Sequence, residues 1–196
     1  MADITIPAAL LPADGRFGCG PSKVRTEQIE FLASLQPGVL GTSHRQAPVK
    51  NLVGSVREGL RELFRAPEGY EVLLANGGAT SFWDAAVHSL IEQRSQHLTF
   101  GEFGAKFGTA ASRAPWLEQP DIREAPAGSR SEAEAAAGID VYAYPHNETS
   151  TGVMAEVHRV HGDEGALTVV DATSGAGGLD FDAREVDVYY FSPQKN

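Results

Sequence analysis

Short apolar runs alternate with helical segments along most of this 196-residue chain, and that alternation leaves few possible folds. The β-prone runs lie at residues 71–75, 96–100, 139–144, 166–170 and 186–191. Between the first two, residues 81–94 place apolar side chains at helical intervals. This pattern is typical of βα units, so we predict an α/β fold with a mostly parallel sheet flanked by helices.

Other parts of the chain are expected to lie around this sheet. An amphipathic helix is predicted where apolar residues recur every four positions from Leu52 to Phe64, and it should stop before Pro67. Residues 1–16 are expected to form an extended N-terminal arm. Because the last predicted strand, 186–191, is followed by no closing helix in this sequence, we expect residues 17–196 to be the front part of a longer domain.

The charge and composition exclude several classes of protein. The chain has 16 lysines and arginines against 26 aspartates and glutamates, a formal charge of −10, so no nucleic-acid partner is expected. The single cysteine, Cys19, excludes an intramolecular disulfide framework and a cysteine-cluster zinc site. We see no targeting segment and no long apolar stretch, and therefore expect a cytoplasmic protein without membrane contact.

A glycine-rich turn follows the first β-prone run, at a place where open α/β sheets bind ligands. Asn76, Gly77 and Gly78 precede Ala79, Thr80 and a predicted helix. Glycines let the backbone approach a ligand, and the N-terminus of a helix attracts an anion. The segment is either a phosphate-binding turn or an ordinary tight turn with a Ser/Thr cap, and by itself the ordinary turn is favoured.

Chemically useful side chains also follow the other predicted strands. Phe103 comes after the second run, the polar loop 145–152 after the third, Asp171 after the fourth and Lys195 after the fifth. Singly, each has an ordinary explanation as a core ring, a surface turn, a turn aspartate or a surface lysine. Together with the glycine turn they offer a phosphate site, a ring platform, a carboxylate and an amine. Pyridoxal phosphate requires those four groups.

The same residues belong to motifs that resemble the phosphoserine aminotransferases, which are class-V, fold-type-I pyridoxal-phosphate enzymes. The likeness covers nearly the whole chain, in order. Its most specific parts are Ser-His-Arg at 43–45, Asn-Glu-Thr at 147–149 and Gln-Lys-Asn at 194–196. Phe-Gly-Cys-Gly-Pro at 17–21, Asn-Gly-Gly-Ala-Thr at 76–80 and Val-Asp at 170–171 support it.

The resemblance implies a role for each matched residue. Lys195 is implied to form a Schiff base with pyridoxal phosphate and to move protons, and Asp171 to pair with the pyridine nitrogen. The other implied cofactor contacts are Gly78, Ala79, Thr80 and Gln194 at the phosphate, Phe103 against the ring and Thr149 near the ring hydroxyl. His44 and Arg45 resemble the pair that binds the distal phosphate or carboxylate of the substrate. No metal is implied.

The activity implied by the resemblance is a reversible transamination. Glutamate and 3-phosphohydroxypyruvate would be exchanged for 2-oxoglutarate and phosphoserine, in serine and pyridoxine biosynthesis. A homodimer is also implied, together with a small C-terminal domain that this chain does not contain. The sequence departs from the family pattern where Phe103 replaces a common tryptophan and where Thr80 replaces a common arginine.

Other interpretations remain open. A serine–pyruvate aminotransferase or a related class-V enzyme would use the same cofactor, whereas a cysteine desulfurase is disfavoured because Cys19 lies near the start. A non-catalytic phosphate-binding domain would leave Lys195 without a role. A metal site at His146, His158 and His161 lacks an accompanying carboxylate, so these histidines are expected to be solvated on the surface. The glycine pattern of a hydrolase nucleophile elbow is missing.

Overall fold

Five parallel strands form the central sheet of the computed structural model, which describes residues 4–16, 18–35 and 38–195. In chain order, the seven strands of the described residues, five in this sheet and two outside it, are β1 (Ser95–Thr99), β2 (Asp121–Glu124), β3 (Val141–Pro145), β4 (Asn147–Glu148), β5 (Val153–Met154), β6 (Leu167–Asp171) and β7 (Val188–Tyr190). The sheet has the order β2-β1-β3-β6-β7, and β4 and β5 pair separately as a short antiparallel hairpin. The predicted α/β fold with a mostly parallel sheet is confirmed.

Four α-helices accompany these strands in the described parts of the chain. They are α1 (Thr26–Ser34), α2 (Ala47–Leu63), α3 (Gly78–Ser89) and α4 (Glu102–Ser112), with short 3-10 helices at Ala8–Leu10 and Ala183–Glu185. The two predicted helices correspond to α2 and α3, whereas α1 and α4 were not predicted. Glycines disfavour helices, but those in α4 permit close packing. A Cβ atom at Gly104 would come within 2.8 Å of the Leu98 carbonyl oxygen.

The sheet separates two apolar layers because successive residues of a strand point to opposite faces. On one face, Val141, Ala143 and Val169 pack against side chains of α3 and α4, including Trp83 and Phe107. The other face is covered by irregular segments. Its core contains Leu98, Phe100, Tyr144, Ala155, Val157, Val170 and Val186. Residues 125–138 contribute to this second layer and carry no helix or strand.

The register of the three strands β3, β6 and β7 brings their carboxyl ends together. Pro145 pairs with Asp171, and Asp171 pairs with Tyr190. Since the three strands are parallel, the loops that follow them leave the sheet at the same edge. The loops after β3, β6 and β7, which contain predicted site residues, therefore all begin at this edge of the sheet.

The prediction of a strand at residues 71–75 is wrong. The segment is not part of the sheet, and Leu73 and Leu74 are 83% and 54% exposed. Arginine side chains of α2 bind carbonyl oxygens in this segment and just before it, with Arg57 Nε donating to Val72 at 2.8 Å and Arg61 donating to Tyr70. At Val72, a side-chain donor therefore takes the place of the strand partner that a backbone carbonyl ordinarily requires.

The N-terminal part of the chain packs less closely than the sheet. Residues 4–16 are mainly exposed and contain only the short helix at Ala8–Leu10, while residues 1–3, Phe17 and Asn196 lie outside the described residues. No residue of α1 or α2 is buried. Just after α2, Phe64 contacts the rings of Phe181, Tyr189 and Phe191. Within the described residues, every helix is too short or too polar to span a membrane.

Strand β1 buries polar side chains that find partners inside the protein. Gln96 Nε2 donates to Asp121 Oδ2 at 2.8 Å, and its amide oxygen accepts the backbone N–H of Glu134 at 3.0 Å. His97 lies 2.9 Å from the Ser95 hydroxyl through Nε2 and contacts the edge of the Phe107 ring. Burial lowers the pKa of His97 from 6.5 to about 4, so the imidazole is neutral in the folded protein at pH 7.

We predict that His97 makes the folded protein sensitive to mild acid. Its pKa is lower in the folded than in the unfolded chain, so stability is present above pH 6.5 and is lost as the pH falls toward 4. Protonation of this one histidine lowers the free energy of unfolding by about 3 kcal/mol between pH 7 and pH 4. Urea unfolding at pH 7 and at pH 4 should show this loss in the wild type and a smaller one in His97→Gln, which cannot titrate. An equal pH dependence in both proteins would contradict the prediction.

Candidate active site

A cavity of about 390 Å³ opens at the edge of the sheet where β3, β6 and β7 end. All eight residues predicted to bind the cofactor line it: Gly78, Ala79, Thr80, Phe103, Thr149, Asp171, Gln194 and Lys195. His44 and Arg45 do not line the cavity. Both are exposed in the turn that precedes α2.

Two consecutive glycines shape one end of the cavity. Gly77 and Gly78 have φ angles of 96° and 70°, which L-residues with a side chain rarely adopt. A Cβ atom at position 77 would also collide with Ser81, whose hydroxyl donates to the Gly77 carbonyl oxygen. No side chain of the described residues caps the start of α3. The backbone N–H groups of its first turn are therefore available to an anion.

The Asp171 carboxylate ends β6 in the wall of the cavity. The backbone N–H of Thr173 donates to its Oδ1 at 2.9 Å, and the hydroxyl of Tyr190 donates to its Oδ2 at 3.0 Å. Two donors from different parts of the chain thus hold the carboxylate in one orientation. Each carboxylate oxygen can accept more than one hydrogen bond, so capacity remains for a ligand.

Lys195 projects into the same cavity. Its Nζ donates to Thr149 Oγ1 at 3.3 Å and lies 5.7 Å from the centroid of the Phe103 ring. The aliphatic part of the side chain passes Gly20, where a Cβ atom would approach Lys195 Cγ to 2.9 Å. The backbone N–H of Ser22 donates to the Gln194 carbonyl oxygen at 2.7 Å. Residues 20–22 therefore hold the lysine segment against the cavity.

Ser174 fixes the polar loop on the wall of the cavity beside the lysine. Its Oγ accepts hydrogen bonds from Asn147 Nδ2 and from Thr149 Oγ1, each at 2.8 Å, and donates to the Asn147 carbonyl oxygen at 2.9 Å. A serine hydroxyl has one proton to donate and two lone pairs, so this arrangement uses it fully. Thr149 is thereby oriented with its oxygen toward Lys195.

Glu148 connects this loop to the ring of Phe103. The Glu148 carboxylate is completely buried and accepts the backbone N–H groups of Phe103 and Gly104, the nearest contacts being 3.1 and 2.9 Å. It also accepts the hydroxyl of Ser150 at 2.8 Å. A negative charge at the start of α4 is favourable because the N-terminus of a helix is partly positive. Glu148 thus positions the helix turn that carries Phe103.

The expectation of a solvated surface histidine is wrong for His146. Its side chain is 4% exposed, its Nδ1 lies 3.1 Å from the Tyr189 hydroxyl, and burial lowers its pKa. The ring packs against Phe181 and Tyr189 on the face of the sheet opposite α3 and α4. His158 and His161 are exposed, as expected. His146 is buried because it directly follows the central strand β3. Its polar neighbours in the sequence had suggested a surface position instead.

Several lining residues were missed by the sequence prediction, among them Gly20, Trp83 and Ser192. Tyr190, which contacts Asp171, was also missed. One signal could have indicated it. Two successive tyrosines near the end of a buried strand must point to opposite faces, and each buried hydroxyl then requires a hydrogen-bond partner. Gly20 belongs to the motif at 17–21, but nothing in that motif indicates that it reaches the cavity from so far away in the sequence.

The arrangement suits one kind of ligand. A helix N-terminus offers N–H groups to an anion, Phe103 offers a flat apolar surface, Asp171 offers a negative charge and Lys195 offers an amine. The amine and the carboxylate line the same cavity but are not bonded to each other, since Lys195 donates to Thr149 and Asp171 is held by Thr173 and Tyr190. Both groups therefore remain available to a molecule in the cavity.

Comparison with known proteins gives consistent matches. The sequence profile of the family Aminotransferase class-V matches residues 20–196. A phosphoserine aminotransferase of Nocardioides sp. is 59% identical over 194 residues, which are 98% of this chain and 52% of that protein. A phosphoserine aminotransferase of Corynebacterium glutamicum is 58% identical over 191 residues, 97% of this chain and 51% of that protein. The chain thus spans about half the length of the curated relatives it matches.

A solved structure has the same architecture. The crystal structure of a phosphoserine aminotransferase from Cytophaga hutchinsonii superposes with a TM-score of 0.77 at 28% sequence identity. The match covers 90% of this chain and 50% of that one. The arrangement of sheet and helices described above is therefore the arrangement of a known enzyme fold.

We predict that Glu148→Ala destabilises the protein by about 3 kcal/mol, because it removes a fully buried charge that accepts the N–H groups of Phe103 and Gly104 at the start of α4. Glu102→Ala is the matched control. Glu102 begins the same helix but is exposed and forms a surface ion pair with Lys106, so its loss should cost about 0.5 kcal/mol or less. Denaturant unfolding of both variants measures the difference. Similar losses would show that the buried carboxylate has no special role.

Proposed function

The chain belongs to the class-V aminotransferase family, and we propose that it forms the cofactor-binding part of a phosphoserine:2-oxoglutarate aminotransferase that uses pyridoxal phosphate. The observation that carries the proposal is the position of Asp171 and Lys195 on one cavity, with Phe103 and the glycine turn beside them. Relatives with 58–59% identity that bear the name phosphoserine aminotransferase support the choice of reaction.

The residues of the cavity fit the cofactor part by part. The N–H groups at the start of α3, with Thr80 and Gln194, suit its phosphate, which serves as an anchor. Phe103 suits the flat face of the pyridine ring, and Asp171 suits its protonated nitrogen. When bound, pyridoxal phosphate supplies an aldehyde that combines with amines and a ring that accepts electrons.

Lys195 and Asp171 have the proposed catalytic roles. The Lys195 amine would form the covalent link to the cofactor aldehyde and, when free of that link, would move the proton of the substrate α-carbon. Thr149 Oγ1 accepts a hydrogen bond from that amine at 3.3 Å, which holds the amine at the cavity wall. The same hydroxyl would lie near the ring hydroxyl of the cofactor. The Asp171 carboxylate would hold the pyridine nitrogen in its protonated form, which is the form that accepts electrons.

The substrates we propose carry two negative groups. Phosphoserine and glutamate each have an α-carboxylate and a distal anion, and their partners are 3-phosphohydroxypyruvate and 2-oxoglutarate. His44 and Arg45 are the proposed ligands of the distal anion, since a guanidinium matches both phosphate and carboxylate oxygens. Because both side chains lie outside the cavity of their own chain, either the loop must move or a second copy must present them. The proposed homodimer would allow the latter.

We also propose that the protein is cytoplasmic and acts in serine biosynthesis, with pyridoxine biosynthesis as a second pathway. The acidic chain without an apolar spanning helix in its described part is compatible with this location. One observation favours an alternative substrate. Thr80 lines the cavity, and no arginine does so among the described residues. A serine–pyruvate aminotransferase, whose substrates lack a distal anion, is therefore the second candidate.

We predict that Lys195→Ala abolishes transamination while the fold persists. Borohydride treatment of the wild type should attach a pyridoxyl group to the peptide that contains Lys195, as mass spectrometry would show, and the variant should lack this label. Lys106→Ala is the matched control, because Lys106 also lies near the Phe103 ring, at 5.4 Å, but does not line the cavity. Retained turnover in Lys195→Ala would refute the assignment, as would the absence of any visible chromophore in the wild type.

We predict a selective effect for Arg45→Ala. It should reduce kcat/KM for phosphoserine and glutamate by an amount equivalent to about 2–5 kcal/mol, and that for alanine very little, because only the first two carry a distal anion. Lys50→Ala, which removes another exposed cation from the start of α2, should leave all three values unchanged. Equal losses on all three substrates would contradict the proposed role. A wild-type preference for substrates without a distal anion would favour the second candidate.

A further inference from the structure

We propose that Tyr190 is a positioning residue, whose hydroxyl holds Asp171 in the orientation that meets the cofactor nitrogen. This inference rests on the proposed function, because it assigns to Tyr190 an effect on the contact between Asp171 and that nitrogen. Tyr190 ends β7, and its register partner on β6 is Asp171 itself. Its ring lies on the face of the sheet that α3 and α4 cover.

The direction of the hydrogen bonds follows from the chemistry of the donors. Trp83 Nε1 lies 2.7 Å from the Tyr190 oxygen, which lies 3.0 Å from Asp171 Oδ2. An indole nitrogen can only donate, so the tyrosine oxygen must accept from Trp83. The single phenolic proton then has Asp171 as its acceptor. The chain of bonds runs from Trp83 through Tyr190 to the Asp171 carboxylate.

The surroundings of Tyr190 keep its proton in place and its ring fixed. Burial and the nearby charge of Asp171 raise the pKa of Tyr190 far above its ordinary value, so the hydroxyl remains a donor at neutral pH. The ring is 7% exposed and stacks on Phe82 with a centroid distance of 3.9 Å. Phe107 of α4 contacts its edge. A donor held this firmly restricts the rotation of the carboxylate that accepts from it.

Tyr190 also connects the two ends of the cavity. Both of its partners on the helix side, Phe82 and Trp83, belong to α3, whose first turn forms the proposed phosphate site. The position of Asp171 is thereby tied to the helix that would anchor the phosphate. In this arrangement the protein sets the separation between the anchor and the ring-nitrogen partner before any ligand arrives.

The test uses two ligands that differ only at the ring nitrogen. Pyridoxal phosphate and its 1-deaza analogue, in which C–H replaces that nitrogen, would be titrated into cofactor-free natural full-length protein and followed by isothermal titration calorimetry. The measured quantity is the ratio of their two affinities. In the wild type, pyridoxal phosphate should bind more tightly than the analogue. Equal affinities there would count against the Asp171 contact in the proposed function itself, independently of Tyr190.

In Tyr190→Phe, we expect the ratio to fall roughly ten-fold, the size of a lost hydrogen bond to a charged group. The analogue should bind to the variant nearly as well as to the wild type. Tyr189→Phe is the matched control. Its hydroxyl is the neighbour in the strand but contacts His146 on the opposite face, so the ratio should not change. A parallel loss for both ligands in Tyr190→Phe would overturn the inference, as would an unchanged or increased ratio.

A second variant guards against misfolding. Tyr190→Phe leaves the buried indole N–H of Trp83 without its acceptor, which can destabilise the protein by itself. The double variant Trp83→Phe, Tyr190→Phe removes both partners, and such paired removal is often nearly neutral for stability. It should show the same fall in the ratio. If the double variant folds and keeps the wild-type ratio, Tyr190 has no positioning role.

Discussion

The parallel register of β3, β6 and β7 is the constraint on which the candidate site depends. It places Pro145, Asp171 and Tyr190 side by side at the edge of the sheet. Backbone hydrogen bonds hold this alignment, and the cores on both faces protect it from solvent. A shift of one residue in β6 would exchange its two faces and would move the Asp171 carboxylate away from the cavity, which no local change in the loops could correct.

Two carboxylates near this edge, those of the buried Glu148 and the half-buried Asp171, have different roles. Glu148 accepts backbone N–H groups of α4 and the Ser150 hydroxyl, so its charge is satisfied entirely from within. Asp171 receives one donor on each oxygen and still lines the cavity. Because an unpaired buried charge is costly, the first arrangement stabilises the fold, whereas the second leaves capacity for a positively charged ligand group.

The sequence was most informative where a local pattern decides the structure. Periodicity located α2, α3 and four of the five strands of the sheet, and the eight residues that the motifs assigned to the cofactor all line one cavity. It was misleading where distant partners decide. Residues 71–75 have the composition of a strand, but Arg57 of α2 binds the Val72 carbonyl oxygen and Leu73 stays exposed. The polar neighbours of His146 suggest a surface loop, yet its imidazole is buried against the rings of Phe181 and Tyr189.

From the sequence alone came the class of fold, four of the five strands of the sheet and the chemical types of the candidate site residues, since these depend on hydrophobic spacing and on side-chain identity. The tertiary structure alone decided which groups meet. The Trp83–Tyr190–Asp171 chain of hydrogen bonds joins residues up to 107 positions apart, and Gly20 reaches Lys195 from the far end of the chain. Contacts over such separations arise from packing and strand register, which no local pattern of residues encodes.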